Sequence, residues 1–338
     1  MTDPRSTAPV ERLGSLSDLI TPMAIRVAAT LKLPDLIADG VTTADALADR
    51  THTDRDALAR LLRHLTSIGL LQPAGSDFCL TELGEALRSA RPGSPASSLD
   101  INGIVGRISL AQLRLLDSIR TGQAAYPLVY GRGFWEDLAT DPDLSARFDA
   151  HMGSGDPSAA VAAYDWAAAR WVVDVGGGNG NLLAGILQAN PEVRGTVVEL
   201  AGPAETARRK FAAMGLSARA SVVTGSFFDA LPADAGAYVL SNVVHDWPDA
   251  EAMTIFRRCA DAAGISGAVL VFEGILEAGD EMAAATDFDL FMLVCCGGRQ
   301  RTLPELEKLA AAAGLRLAAT SPVSPSYGHL LTFKTWPR

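Results

Sequence analysis

Trp171-Val172-Val173-Asp174-Val175-Gly176-Gly177-Gly178-Asn179-Gly180 is the stretch on which the reading of this chain turns. An apolar run closing in a glycine-rich turn, followed by the helical pattern of Asn181–Ala189, predicts a strand, a turn and a helix built around a nucleotide-containing cofactor. Glycine matters here because a Cβ at Gly176 or Gly178 would occupy space that the cofactor needs. About twenty residues on, Gly195-Thr196-Val197-Val198-Glu199 predicts a second strand, ending in an acid placed to accept hydrogen bonds from ribose hydroxyls.

Two cofactor classes fit a turn of that kind. Dinucleotides ask for Gly-x-Gly-x-x-Gly, with a pyrophosphate at the helix N-terminus. Here the spacing is Gly176-x-Gly178-x-Gly180, and Asn181 stands where the third dinucleotide glycine belongs. Asp174 would repel a pyrophosphate but suits an ammonium group. These features favour S-adenosylmethionine, which carries an amine at one end and a sulfonium at its centre.

Composition narrows the rest. The chain has 338 residues, enough for two domains, and its 48% hydrophobic but only 6% aromatic content predicts helices outnumbering strands. A net charge of −10 argues against a broad phosphate-binding surface. No long apolar segment and no basic-then-apolar start is present, so a cytoplasmic protein without membrane association is expected. Cys79, Cys259, Cys295 and Cys296 show no Cys-x-x-Cys spacing and the histidines no metal-ligand spacing, so no metal is expected.

Residues 1–12, rich in Pro, Ser and Thr, read as a flexible lead-in. Leu16 to Leu36 is helical in spacing, with Pro22 and Pro34 near two helix starts. A Thr cap at Thr42-Thr43 opens the next helix, and Thr53-Asp54 opens another that runs through Leu58, Leu62 and Leu65 to a stop at Gly69. Leu70-Leu71, the turn Gly75-Ser76-Asp77 and Phe78-Cys79-Leu80 predict a small hairpin, which completes a winged helix-turn-helix. Such a module binds DNA in some proteins, but residues 1–98 hold 10 Lys or Arg against 12 Asp or Glu, a balance of −2. Its Leu- and Ala-rich surface suits packing against a second subunit better. The expected divisions are a winged-helix dimerisation domain over 1–98, a helical linker contributing to an acceptor pocket over 99–160, and a cofactor-binding catalytic domain over 161–338. In the linker, Phe148 and Met152 are four residues apart on one helix face.

From Tyr164 the pattern alternates strand and helix, with strands expected at Val172–Val175, Thr196–Leu200, Ser221–Thr224, Tyr238–Ser241, Ala268–Glu273, Leu315–Ala319 and Leu330–Thr335. Only the turn-like Ser321–Ser326 separates the last two, which predicts a Rossmann-like, doubly wound sheet finished by an antiparallel pair. In such sheets ligands sit beyond the C-terminal strand ends. His245 follows the strand ending at Ser241, and an imidazole suits a base working near neutral pH. Glu273 ends the next strand, where its carboxylate would orient that ring and stabilise the imidazolium. The chemistry expected is in-line methyl transfer from the sulfonium, for which proximity supplies roughly 7–11 kcal/mol and a positioned base about 10²–10⁴-fold. Asp287 and Asp289 are spaced to fall on different sides of a helix and read as solvent-facing or capping.

Asp-Val-Gly-Gly-Gly-Asn-Gly at 174–180, Gly-Ser-Phe-Phe at 225–228, His-Asp-Trp at 245–247, Glu273 and Gly-Gly-Arg-Gln-Arg-Thr at 297–302 together resemble the S-adenosylmethionine-dependent O-methyltransferases of the plant caffeate and flavonoid type. Bacterial enzymes that tailor aromatic polyketides form the nearer branch. The resemblance spans nearly the whole chain and implies an α/β seven-stranded methyltransferase sheet, an N-terminal winged-helix domain that forms a homodimer, and O-methylation of a phenolic hydroxyl on an aromatic secondary metabolite, with S-adenosyl-L-homocysteine as product. It implies His245 as general base flanked by Glu273. It assigns Gly176 and Glu199 to the cofactor, Phe227 to the adenine face and Ser241 to the methionine end. Phe148, Met152 and Met292 match acceptor-pocket positions, and Asn242 replaces an aromatic residue of the plant enzymes. Ser226 stands where the family places an acid for the adenine amino group, Gln300 stands for a second glutamate near the histidine, and a family lysine is absent from Pro232-Ala233-Asp234-Ala235. The same branch contains relatives that hydroxylate or decarboxylate instead, some of which lack the histidine. A repurposed enzyme of that kind acting on a polyketide is the alternative enzymatic reading; a non-catalytic DNA-binding regulator is the alternative of another class.

Overall fold

The computed structural model describes residues 7–152, 155–276 and 282–336. The chain divides into two compact units, Met1–Leu110 and Ala111–Arg338, so the helices expected as a separate linker over 99–160 are shared between them.

In the first unit the helix Thr7–Leu16 starts inside the stretch expected to be a lead-in. Residues 1–6 of that stretch lie outside the described residues, while 7–12 are helical. Val10, Leu13 and Leu16 recur every third residue along it and stay 66% or more exposed. That spacing, masked by the Pro- and Ser-rich composition, is the helical signal in the sequence. Pro22 and Pro34 sit in the first turns of Ile20–Thr30 and Leu33–Ala38, where a missing N–H breaks no helical bond. Thr43 caps Ala44–Thr51 by accepting from Ala46 N at 3.3 Å, and Asp54 caps Arg55–Ser67 by accepting from Ala57 N at 2.8 Å. Arg55–Ser67 buries Leu58, Leu62 and Leu65, and the hairpin β1 (Leu71–Ala74) with β2 (Asp77–Leu80) follows as the wing.

The second unit is organised by β3 (Trp171–Val175), β4 (Arg194–Glu199), β5 (Ala220–Thr224), β6 (Ala237–Ser241), β7 (Ala268–Glu273), β8 (Leu315–Ser324) and β9 (Gly328–Thr335). Among the described residues they form one seven-stranded sheet in the order β5-β4-β3-β6-β7-β9-β8, parallel except for β9, which runs antiparallel to β7 and β8. Alternate side chains feed two cores. Val173, Tyr238, Leu240 and Val271 pack with the helices Asp249–Ala263 and Leu303–Ala312, whereas Val172, Val197, Val239 and Phe272 pack with Asn181–Ala189 and Ala201–Ala213. Burial on both faces explains why these strands read as continuous apolar runs. The stretch expected as a turn at Ser321–Ser326 is corrected in part: β8 continues to Ser324, with pairing irregular around Leu317/Ala319 and Pro322/Ser324. Pro322 is tolerated because β8 is the edge strand and does not need its N–H.

Strand order reverses between β3 and β6, which are neighbours although two strands intervene in sequence. The crevice beyond the C-terminal ends of these two strands is the natural ligand site. Among the described residues no helix is long and apolar enough to cross a membrane.

Candidate active site

The turn after β3 is held from both sides. Gly176 and Gly180 have φ of +70° and +74°, which a residue with a Cβ rarely adopts. A Cβ at Gly176 would lie 3.1 Å from Val243 Cγ2 and 3.2 Å from Phe227 Cε1, so the turn packs against the exit of β6 and against the expected adenine-facing ring. A Cβ at Gly180 would meet Phe211 Cζ at 2.6 Å. Lys210 Nζ donates to Asn179 Oδ1 at 2.9 Å and Asn181 Oδ1 at 3.2 Å, while Asn181 Nδ2 donates to Gly155 O at 2.8 Å. Asn181 therefore fastens the helix start where a dinucleotide site needs glycine.

Three acids gather at this turn. Asp174 is 1% exposed, and neither carboxylate oxygen has a hydrogen-bond partner among the described residues. Burial first, then the charge of Glu199, pushes its pKa up to about 7. Glu199 accepts from Leu200 N and from the Gly178 N–H; burial dominates, the Asp149 charge adds to it, and the pKa is raised to about 7. Asp149, on the helix Pro142–Met152, is raised by burial to about 6. No ion pair among the described residues neutralises any of the three. A buried carboxylate without a partner is costly unless it is protonated or meets a cation. This donor set fits the ammonium and sulfonium of S-adenosylmethionine and does not fit a pyrophosphate. Ser226 Oγ accepts from Phe228 N at 3.2 Å, so part of its acceptor capacity is used within the turn.

The turn leaving β6 carries the base. Ser241 closes the strand half-buried, and Asn242 follows with φ of +53°, a conformation Asn tolerates better than most side chains. The 3₁₀ turn Val244–Asp246 then places His245, 7% exposed, over β7. Its Nδ1 pairs with Glu273 Oε1, and its main-chain N–H donates to Glu273 Oε2 at 3.2 Å. Nε2 lies 3.5 Å from Asp246 Oδ1. Burial alone would lower the imidazole pKa, but the charges of Glu273 and Asp246 outweigh it and lift it to about 9. Asp246 itself is pushed up to about 7, mainly by burial. The pair expected from two strand ends is thus in contact, with a carboxylate on Nδ1, but at a pKa of about 9 the ring is protonated at neutral pH, so Nε2 becomes able to take a proton only as the pH rises towards that value and not near neutrality as the sequence suggested.

Among the described residues Gln300 makes no hydrogen bond to the histidine. Its main-chain N–H donates to Asp289 Oδ1 at 2.8 Å, and its side-chain amide lies against Gly274, where a Cβ would approach Nε2 to 2.5 Å. Asp289, read as solvent-facing or capping, instead anchors the loop that carries Gln300. Among the described residues no group of acids, histidines and cysteines could hold a metal ion. A family model described as the O-methyltransferase domain matches residues 113–316, and one described as the O-methyltransferase dimerisation domain matches residues 14–89.

The chain belongs to the O-methyltransferase family. The 2,7-dihydroxy-5-methyl-1-naphthoate 7-O-methyltransferase of Streptomyces carzinostaticus is 52% identical, over 92% of this chain and 94% of its own. The aclacinomycin 10-hydroxylase of Streptomyces purpurascens is 47% identical, over 91% and 84%. Among solved structures, an O-methyltransferase from neocarzinostatin biosynthesis in complex with S-adenosylmethionine and 2-hydroxy-5-methyl naphthoic acid matches with a TM-score of 0.90 and 49% identity, over 95% of this chain and 98% of that one.

In this O-methyltransferase the expected acceptor residues are unequally placed. Phe148 packs edge-on against Phe134 and Trp135, at 5.7 and 5.8 Å between ring centres. Met152 is 50% exposed at the end of its helix, and Met292 is buried at 5% in the helix Met282–Cys296. Residues that sequence reasoning passed over join them. Trp135 stacks on Trp247 at 5.9 Å, Trp247 meets Phe227 at 5.8 Å, and Phe288 stands edge-on to the His245 ring at 5.2 Å. An unbroken aromatic wall therefore runs from Phe148 to the ring beside the glycine turn. Its signal in the sequence was the concentration of Trp and Phe near the motifs of a chain with only 6% aromatic residues.

Proposed function

We propose that this enzyme transfers a methyl group from S-adenosylmethionine to a phenolic hydroxyl of an aromatic, polyketide-derived acceptor of the hydroxynaphthoate class, releasing S-adenosyl-L-homocysteine. The observation that carries this is the His245–Glu273 pair, formed between the turn after β6, the neighbour of β3, and the end of β7. When bound, S-adenosylmethionine supplies a methyl group already activated by the sulfonium charge. Asp174, Gly176, Gly178, Glu199, Ser226, Phe227 and Ser241 hold it. Phe148, Met152, Asn242 and Met292 line the acceptor side. His245 takes the phenolic proton at Nε2, and Glu273 stabilises the imidazolium through Nδ1. A pKa lifted to about 9 brings the base close to a phenol, whose own pKa is about 10, so the proton transfer is nearly balanced.

Incubation with methyl-labelled S-adenosylmethionine and a panel of hydroxynaphthoates and hydroxyquinones tests the proposal. A labelled methyl ether is the expected product. A product heavier by one oxygen, with no label, would favour the hydroxylase reading that the aclacinomycin relative brings to mind. Glu199→Ala is expected to weaken cofactor binding by about 10-fold or more, the loss of charge-assisted hydrogen bonds. Calorimetry with S-adenosyl-L-homocysteine reads this, and an unchanged affinity removes Glu199 from the ribose.

The protein works as a homodimer through its N-terminal unit, without nucleic acid or membrane. Val10, Leu13, Leu16, Leu19 and Ile20 are each at least 65% exposed along two successive helices and the link between them, apolar side chains that suit an interface with a second subunit. Sedimentation is expected to give a dimer at micromolar concentration, and a stable monomer there contradicts this assembly.

A further inference from the structure

Arg301 is a guanidinium sealed inside the second unit at 1% exposed. Such burial is expensive unless every donor finds an acceptor. Its acceptors are concentrated around the base. Nη1 donates to Val244 O at 3.0 Å, the carbonyl just before His245, and Nη2 donates to Trp247 O at 2.7 Å, two residues after it. Nη1 also reaches Arg299 O at 3.3 Å. Nε and Nη2 share Asp249 Oδ1 at 3.0 and 2.9 Å.

The main chain of the same segment grips the other half of the pair. Arg301 bridges to Ile275, and its carbonyl accepts from Leu276 N at 2.9 Å, on the strand extension that follows Glu273 and Gly274. Two residues back, Arg299 N donates to His245 O at 2.8 Å. Gly298 lies so close to this turn that a Cβ there would come within 2.2 Å of His245 O.

We propose that Arg301 is the positioning residue of the catalytic pair: its side chain fixes the turn that carries His245, while its main chain is fixed to the segment that carries Glu273. It touches neither reactant and acts through the distance and angle between imidazole and carboxylate. Only a guanidinium has the planar fork to satisfy carbonyls on both sides of the histidine together with one carboxylate; a lysine ammonium of the same charge cannot. The groups facing His245 are Glu273 from β7, Asp246 from its own turn, and Phe288 and Cys296 from Met282–Cys296. The inference rests on the general-base reading above.

The test is Arg301→Lys, with active sites counted by S-adenosyl-L-homocysteine binding. Turnover per binding site is expected to fall about 10- to 100-fold, the scale set by a displacement of about 1 Å. Cofactor affinity should stay near wild type. The His245 imidazole, followed by NMR and assigned with His245→Asn, should titrate at lower pH as its grip on Glu273 loosens. Wild-type turnover per site together with an unmoved imidazole titration overturns the proposal, however far the melting temperature drops. Should Arg301→Lys not fold, Asp249→Asn carries the test: its half-exposed carboxylate takes two of the guanidinium bonds, and a smaller loss with the same titration shift is expected, whereas no shift overturns the proposal. If wild-type protein binds cofactor but methylates no phenol, the functional reading fails, and the NMR comparison still decides the role of Arg301.

Discussion

His245→Ala is expected to lower kcat by roughly 10²–10⁴-fold, with S-adenosyl-L-homocysteine affinity near that of wild type. The size follows from what the alanine removes. Without the imidazole the nearest alternative left in the turn is Asp246, a carboxyl whose pKa is about 7 in the wild-type protein. The acceptor would then have to ionise into water before transfer, while the proximity supplied by the cleft is retained. The split between kcat and binding is the informative part. Equal turnover in the variant removes His245 from the mechanism, and parallel loss of cofactor binding shows that the substitution disturbed the turn as a whole.

Glu273→Gln should cost about 10²-fold or more and also move the pH profile. In wild type the imidazole is protonated, and unable to accept, below its pKa of about 9, so kcat/KM should climb with pH until that limb is passed. The amide in the variant carries no charge to hold the imidazolium. Burial, the largest influence on this ring, then pulls its pKa down with only Asp246 and the weaker Cys296 contribution opposing it. The limb should therefore move to lower pH by about one unit or more, while the plateau falls because the remaining base is weaker. A limb that stays in place means that the limb belongs to another group, with the phenol itself the first candidate. A plateau that does not fall means that Glu273 is a structural partner only.

Much of this site was legible in sequence because it is built at strand ends. Each of the seven strands was marked by a short apolar run, and the residue that ends or follows such a run must lie at the rim of the sheet. Glu199, His245 and Glu273 were read that way, whereas Asp174 was read from the glycine turn and Ser241 from the family resemblance. What was not legible depended on contacts between distant segments. Asp149 is an ordinary helix acid until its helix is laid against the glycine turn, where Asn179 Nδ2 donates to its carbonyl at 3.3 Å. Gln300 stands where the family has a second acid, and only the structure shows that its side-chain amide lies beside Gly274, the residue after Glu273. Trp135 and Trp247 are 112 positions apart by number and yet stack.

The sequence by itself determined the α/β class, the winged-helix module and the glycine turn, and it singled out the histidine proposed as base, because hydrophobic periodicity and glycine spacing act over a few residues and are written locally. Tertiary structure alone decided how strong that base is and what holds it still. The imidazole pKa is set by charges brought in from β7 and from its own turn inside a buried space, and the turn is held by Arg301, more than fifty positions further along the chain. Electrostatic strength in a buried site depends on distance and on the exclusion of water, and neither is carried by residue order.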